Sequence, residues 1–180
     1  MPKTLSLSDV NTILLKISDL HDVEPNQFLR YITEIIHTQV DIYFMGFYLL
    51  ESDGKWVVFR IGTSGEFTER MLELGHQFKA DAIAVNKITL LNSHRLTYTL
   101  STDPRNNLDA RLETDRAPNY VSPLLPETRS NLSLPLRIQE NLIGLWQIKS
   151  SKENAFEIDD IIHFQFLADQ ISARLNLLSE

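Results

Sequence analysis

Residues Pro123 to Leu178 admit few folds, because they read as strand, tight turn, strand and then one long amphipathic helix. The first strand is predicted over Asn131 to Ile138, the turn over Gln139 to Asn141 and the second strand over Leu142 to Lys149. Gly144 interrupts the second strand and leaves room for another backbone to approach closely. A hairpin delivered directly into a helix needs further strands to complete a sheet, and the rest of the chain must supply them.

From its start the chain is predicted to form two helices before any strand. Ser6 and Asp9 have the spacing of a capping box, and Leu7, Val10, Leu14 and Ile17 then recur at helical steps to about Leu20. Pro25 suits the first turn of a second helix that buries Phe28, Leu29, Ile32, Ile35 and Ile36. Ile42 to Leu50 is short and aromatic-rich, hence a strand; Asp53-Gly54 marks a hairpin turn and Trp56 to Ile61 the return strand. Phe67 to Leu74 is predicted as a short helix stopped by Gly75. Between Asp81 and Leu100 the clearest strand is Leu96 to Leu100, and Ser101 to Pro118 is a polar stretch rich in turn formers such as Asp103-Pro104. The expected fold class is α+β, a central antiparallel sheet with the N- and C-terminal helices (about 6–20 and 157–178) on one face and short helices and loops capping the other.

At 180 residues and 43% hydrophobic, with no Gly/Ser linker and no internal repeat, the chain is expected to form a single domain over 1–180. A net charge of −7 with scattered Lys and Arg argues against nucleic-acid binding. The N-terminus lacks the apolar stretch of a targeting signal, and Ile42 to Leu50, the longest apolar run, falls well short of the roughly 20 residues that span a membrane. A cytoplasmic protein without a membrane partner is the expectation.

Four segments in order, Ser130 to Arg137, Leu142 to Ser150, Asn154 to Asp160 and Leu167 to Leu175, resemble the end of a GAF domain, the small-molecule-sensing module of signalling proteins. The Tyr48-Leu49-Leu50 strand end before a glycine turn is similar to the family pattern too, and Glu69 to His76 resembles a variant found in bacterial multidomain sensors. The resemblance runs from about Leu7 to Leu178 and is weakest between about Ala80 and Ala117, the segment that in the family covers the ligand cavity. It implies a sensory domain of a bacterial signal-transduction system, for example two-component, with a ligand pocket beneath the loops and a homodimer built on the terminal helices. Family members that reduce free methionine sulfoxide depend on cysteines, and phytochrome-like members attach a bilin through one. This chain has no cysteine, so neither route, nor a disulfide framework or a thiolate zinc site, is open to it.

The five histidines show no i, i+4 pair, and Asp159 and Asp160 before His163 suit a helix N-terminus, so no metal is expected. Gly62-Thr-Ser-Gly65 matches neither a nucleophile elbow nor a phosphate loop. With no catalytic constellation in view, the chain is expected not to be an enzyme and to carry no resident cofactor.

Strand alternation supplies the candidate ligand contacts. Ile143, Leu145 and Gln147 share one side of the last strand, opposite Leu142, Gly144, Trp146 and Ile148. Arg60 and Trp56 alternate against Val57, Phe59 and Ile61, and Ser133 and Arg137 against leucines. One sheet face is therefore expected to carry Tyr48, Arg60, Tyr98, Ser133, Arg137 and Gln147 beneath a cover spanning Phe78 to Thr128, with the two arginines favouring an anionic or carboxylate-bearing ligand. A half-solvated sheet face, polar for solubility alone, gives the same alternation. A second surface is the seam of Leu7, Val10, Leu14 and Ile17 on the first helix with Phe164, Ala168, Ile171 and Leu175 on the last, read as a dimer seam or as the packing of both helices on their own sheet.

The expected function is a non-enzymatic small-molecule-sensing domain that couples pocket occupancy to terminal-helix packing, with its output in a fused domain or a signalling partner. The alternative is a degenerate domain that acts only in dimerisation or docking.

Overall fold

The computed structural model describes residues 5–40, 42–92, 95–101 and 127–178, without the side chains of 92 and 95–101. Helices α1 (Leu7–Ser18) and α2 (Pro25–Gln39) lead into β1 (Phe44–Leu50) and β2 (Trp56–Gly62), then α3 (Glu66–Leu74), the short β3 (Gln77–Lys79) and a single 3₁₀ turn at Ala80–Ala82. β4 (Lys87–Asn92), β5 (Arg95–Ser101), β6 (Ser130–Ile138), β7 (Asn141–Ser150) and α4 (Ile158–Leu178) follow. The strands form one seven-stranded sheet in the order β3-β2-β1-β7-β6-β4-β5, with every pairing antiparallel.

Local chemistry sets most element ends. The Ser6 hydroxyl accepts from the Asp9 amide while the Asp9 carboxylate accepts from the Ser6 amide, a reciprocal cap on α1. Pro25 opens α2, and Gly75, at φ 59°, closes α3 in the left-handed region. β4 was not anticipated: its alternation is short and no turn signal precedes it.

Two apolar layers sandwich the sheet. On one face, Met45, Phe47, Ile88, Leu90, Leu132, Leu134, Leu136, Trp146 and Ile148 meet α1, α2 and α4. Trp146 stacks on Phe47 at 5.2 Å and meets Phe164 of α4 edge-on at 5.7 Å, which fixes α4 over the centre of the sheet. On the other face, Phe44, Tyr48, Val57, Phe59 and Leu145 pack with Met71, Phe78 and Ile83 from α3 and the segment after it.

The dimer-seam reading is corrected here. Val10, Ile17, Phe164, Ala168, Ile171 and Leu175 are all buried in the chain's own core, with Leu14 packed partly against it. Only Leu7, 63% exposed, faces outward. Both stripes are used up in seating the terminal helices on the sheet and on each other. The helix pair is also tied by polar contacts: Leu5 N–H donates to Asp160 Oδ1 at 3.2 Å, His163 Nδ1 lies 2.6 Å from the Leu5 carbonyl, and Arg174 donates to the Leu20 carbonyl at 2.5 Å.

Three bulges interrupt the sheet, and they decide which side chains reach which face. Phe47 pairs with Ile61 and Tyr48 with Phe59, which leaves Arg60 as an extra residue in β2. Leu136 pairs with Gly144 and Arg137 with Leu142, which leaves Ile143 as the extra residue in β7. Accordingly Ile61 packs with the helical layer although Val57 and Phe59 pack on the opposite face, and Ile143 and Leu142 exchange the sides that unbroken alternation assigns to them.

Candidate functional site

Strict pairing of β6 with β7 places Asn131 opposite Lys149 and Ser133 opposite Gln147, on the face away from the terminal helices. All four side chains are buried. Lys149 Nζ donates to Asn131 Oδ1 at 2.8 Å, Asn131 Nδ2 to Ser133 Oγ at 3.4 Å, and Gln147 Nε2 to the same Ser133 oxygen at 3.3 Å. Burying such groups singly is costly, and joining them in one network offsets much of that cost. Thr89 of β4, also buried, lies opposite Ser133 and extends the polar stripe to a third strand.

The stripe adjoins aromatic residues. Tyr48 packs against Phe59, Phe78 and His76, and its hydroxyl lies 3.0 Å from His76 Nδ1. Burial, and after it the charge of Lys149, lowers the His76 pKa, so the ring is neutral at pH 7 and Nδ1 can accept from the Tyr48 hydroxyl. Burial alone brings the pKa of Lys149 down to about 7. Its bonded partner is a neutral amide, and among the described residues it makes no ion pair. A buried amine in this state is a nucleophile, a base or a hydrogen-bond donor at neutral pH, unlike an ordinary surface lysine.

The structure therefore brings Tyr48, Ser133 and Gln147 to one face, as expected from alternation, and removes both arginines from it. Arg60, turned by the β2 bulge, bonds Glu51 Oε1 at 2.6 Å. It lines a separate hollow of about 450 Å³ between α2 and the β2–α3 turn, together with Arg30, Glu34, His37, Tyr43 and Glu69. Arg137 sits beside the β6–β7 bulge with its Nε 3.7 Å from Asp169 Oδ1 of α4, and its amide donates to Ser172 Oγ at 3.1 Å. Each arginine thus meets a carboxylate, Glu51 or Asp169, rather than the polar stripe's network. The Tyr98 side chain lies outside the described residues, as does most of the proposed cover from Phe78 to Thr128, including the Ser101 to Pro118 stretch.

Lys149, Asn131 and His76 were not singled out from the sequence. Lys149 and Asn131 each stand two residues from a chosen position, Gln147 and Ser133, so the same alternation reaches them. A lysine at a strand end ordinarily reads as a solvated terminus, and only pairing with a central β6 shows it to be interior. Among the described residues, no group of three or more metal-ligating side chains occurs, and no helix is long and apolar enough to cross a membrane.

No family model matches the sequence, and no curated protein matches it. Solved structures do match its fold. The phycoerythrobilin-bound GAF domain of a cyanobacterial phytochrome superposes with a TM-score of 0.67 at 16% identity, covering 96% of this chain and 97% of that one. The free methionine-R-sulfoxide reductase of Neisseria meningitidis, in complex with its substrate, gives 0.67 at 14% identity over 94% and 87%. The GAF domain of a phosphoenolpyruvate-protein phosphotransferase from Coxiella burnetii gives 0.64 at 12% identity over 95% and 92%. The chain has the α+β fold of GAF domains, in agreement with the resemblance read from its sequence. The expectation that it is not an enzyme is overturned: several proteins of this fold are reductases, so the architecture accommodates catalysis, and the lack of cysteine closes only thiol-based routes.

Proposed function

We propose that this GAF-fold chain is a small-molecule-sensing regulatory domain of a bacterial signal-transduction system, with the ligand seated against the polar stripe of β6 and β7. The observation that carries this reading is the buried Lys149–Asn131–Ser133–Gln147 network beside Tyr48 and His76. Core strands rarely retain so many polar groups without a use for them. Two structural neighbours hold a small molecule, a bilin in the phytochrome GAF domain and a substrate in the reductase, which supports a ligand for this fold.

β6 links that face to the terminal helices. Its Asn131 and Ser133 belong to the polar stripe, its Leu132, Leu134 and Leu136 pack in the helical layer, and its Arg137 holds α4 through Ser172 and Asp169. A ligand that displaces β6 by a fraction of an ångström acts on α4 directly, and through the Asp160 and His163 contacts on the segment before α1. Output then passes to a fused domain or a signalling partner in the cytoplasm.

The test is a thermal-shift screen of a metabolite library on the intact chain, followed by hydrogen exchange with any hit. A ligand of this site raises Tm, slows exchange in β6 and β7, alters exchange in α1 and α4, and loses its effect in Ser133→Ala with Gln147→Leu. Hits that remain unaffected by that double variant refute the site.

The docking alternative has one observation in its favour. Leu7 and Leu15 on α1 and Phe166 and Leu177 on α4 are 63%, 70%, 48% and 60% exposed, which leaves apolar side chains on both terminal helices available to a homodimer. Light scattering of the wild type against Phe166→Glu with Leu177→Glu tests it, since these positions lie outside the core.

A further inference from the structure

Lys149 differs from the lysines that hold folded chains together. Structural lysines pair with a carboxylate or keep the ammonium in water, and Lys149 does neither among the described residues: its side chain is buried and bonds to the neutral Asn131 amide. The Asn131 amide is held in one orientation, since its Nδ2 donates to Ser133 and so presents Oδ1 to the lysine. A neutral amine has two N–H groups and one lone pair. With one N–H directed to Asn131, the lone pair is turned away from the amide.

We propose that Lys149 captures a small carbonyl compound as an imine on this strand face, with Asn131 aligning the amine and Ser133 and Gln147 offering polar contacts to the captured molecule. The inference rests on the sensing site proposed above and names the class of ligand it takes: an aldehyde or ketone. The step balances without any oxidant or reductant. The Nζ lone pair attacks the carbonyl carbon and forms the C–N bond as the C=O π electrons move to oxygen. One amine proton passes to that oxygen to give the carbinolamine; the C–O bond then breaks, the second amine proton leaves with the oxygen, and the products are the C=N imine and one water. Hydrolysis reverses the sequence, as a sensor requires.

Burial favours the reaction at neutral pH. With a pKa of about 7 against the ordinary 10.5, Lys149 has a neutral fraction at pH 7 roughly a thousandfold that of an exposed lysine. The titratable group whose pKa its charge lowers is His76, itself neutral at that pH and bonded to Tyr48, so among the described residues it does not compete for the carbonyl as a charged partner.

The experiment treats the intact chain at pH 7 with glyoxylate or acetaldehyde and sodium cyanoborohydride, then maps reductively trapped lysines by peptide mass spectrometry. Thermal shifts are recorded with each carbonyl alone. The expected result is trapping at Lys149 at least about tenfold faster than at the exposed Lys16, Lys55, Lys79 and Lys152. This preference disappears in guanidinium, and Lys149→Met retains the fold but carries no adduct at that position. Labelling of the exposed lysines with Lys149 untouched, or touched only after unfolding, overturns the proposal. A Tm increase with glyoxylate but no adduct at Lys149 removes the covalent step and leaves the sensing site standing; no shift and no adduct removes carbonyl capture at this site altogether.

Discussion

Lys149 Nζ and Asn131 Oδ1 are 2.8 Å apart across the β6–β7 pair, and both side chains are buried. The burial of Lys149 ties the stability of the chain to pH. The folded-state pKa of Lys149 is depressed to about 7, below its unfolded value of 10.5, so between those limits the unfolded chain binds more protons than the folded one. The burden of the buried amine is complete below pH 7 and is relieved as pH rises toward 10.5. Wild-type unfolding free energy should therefore increase between pH 7 and 9 by up to ~1.4 kcal/mol per pH unit. Lys149→Met should remove this slope in urea titrations at several pH values. A slope that persists in the variant assigns the effect to another group.

Leu175 lies 3% exposed in the core formed with Ile171, Phe164 and Ala168. Leu175→Asp places a carboxylate there, a burial that costs several kcal/mol when unpaired. The expected outcome is loss of the folded circular-dichroism spectrum. A folded monomer derived from a wild-type dimer would instead restore the seam to an intermolecular role.

Asp160 is buried and accepts from two backbone amides, Leu5 at 3.2 Å and Glu157 at 3.0 Å, so it caps α4 and secures the segment before α1 with one carboxylate. Asp160→Ala is expected to lower stability by about 1–3 kcal/mol. Hydrogen exchange should accelerate first over residues 5–18 and the first turn of α4. Uniform acceleration across the sheet would contradict a local capping role.

Gly144 faces the backbone oxygen of Tyr48, with which a Cβ would collide. Backbone cannot retreat as a flexible side chain can. Gly144→Ala should cost about 3 kcal/mol and loosen β1 from β7, measured as a lower urea midpoint with faster exchange at both strands. An unchanged midpoint would mean that the sheet spreads freely at this point.

Local signals determined much of the architecture in advance. The Ser6–Asp9 box, Pro25, Gly54 and Gly75 act within a few residues of themselves, and the ends they mark for α1, α2, the β1–β2 hairpin and α3 are those observed. Long periodic stretches behaved likewise: β6, β7 and α4 lie within two residues of their expected bounds, and with the four ordered segments after Ser130 they made the fold legible. The direction of a side chain was legible only where pairing is regular. Tyr48, Ser133 and Gln147 reach the expected face, whereas Arg60 is itself the extra residue of a bulge, which reverses the side assignments beyond it in β2, and Arg137, opposite a bulge in β7, reaches Asp169 of α4. Bulges arise from how two strands distant in sequence meet, which no local window contains. The same holds for Lys149: its place between Ile148 and Ser150 and its alternation with Gln147 belong to the chain, but the amide that holds it comes from β6, and that contact exists only once the strands are assembled.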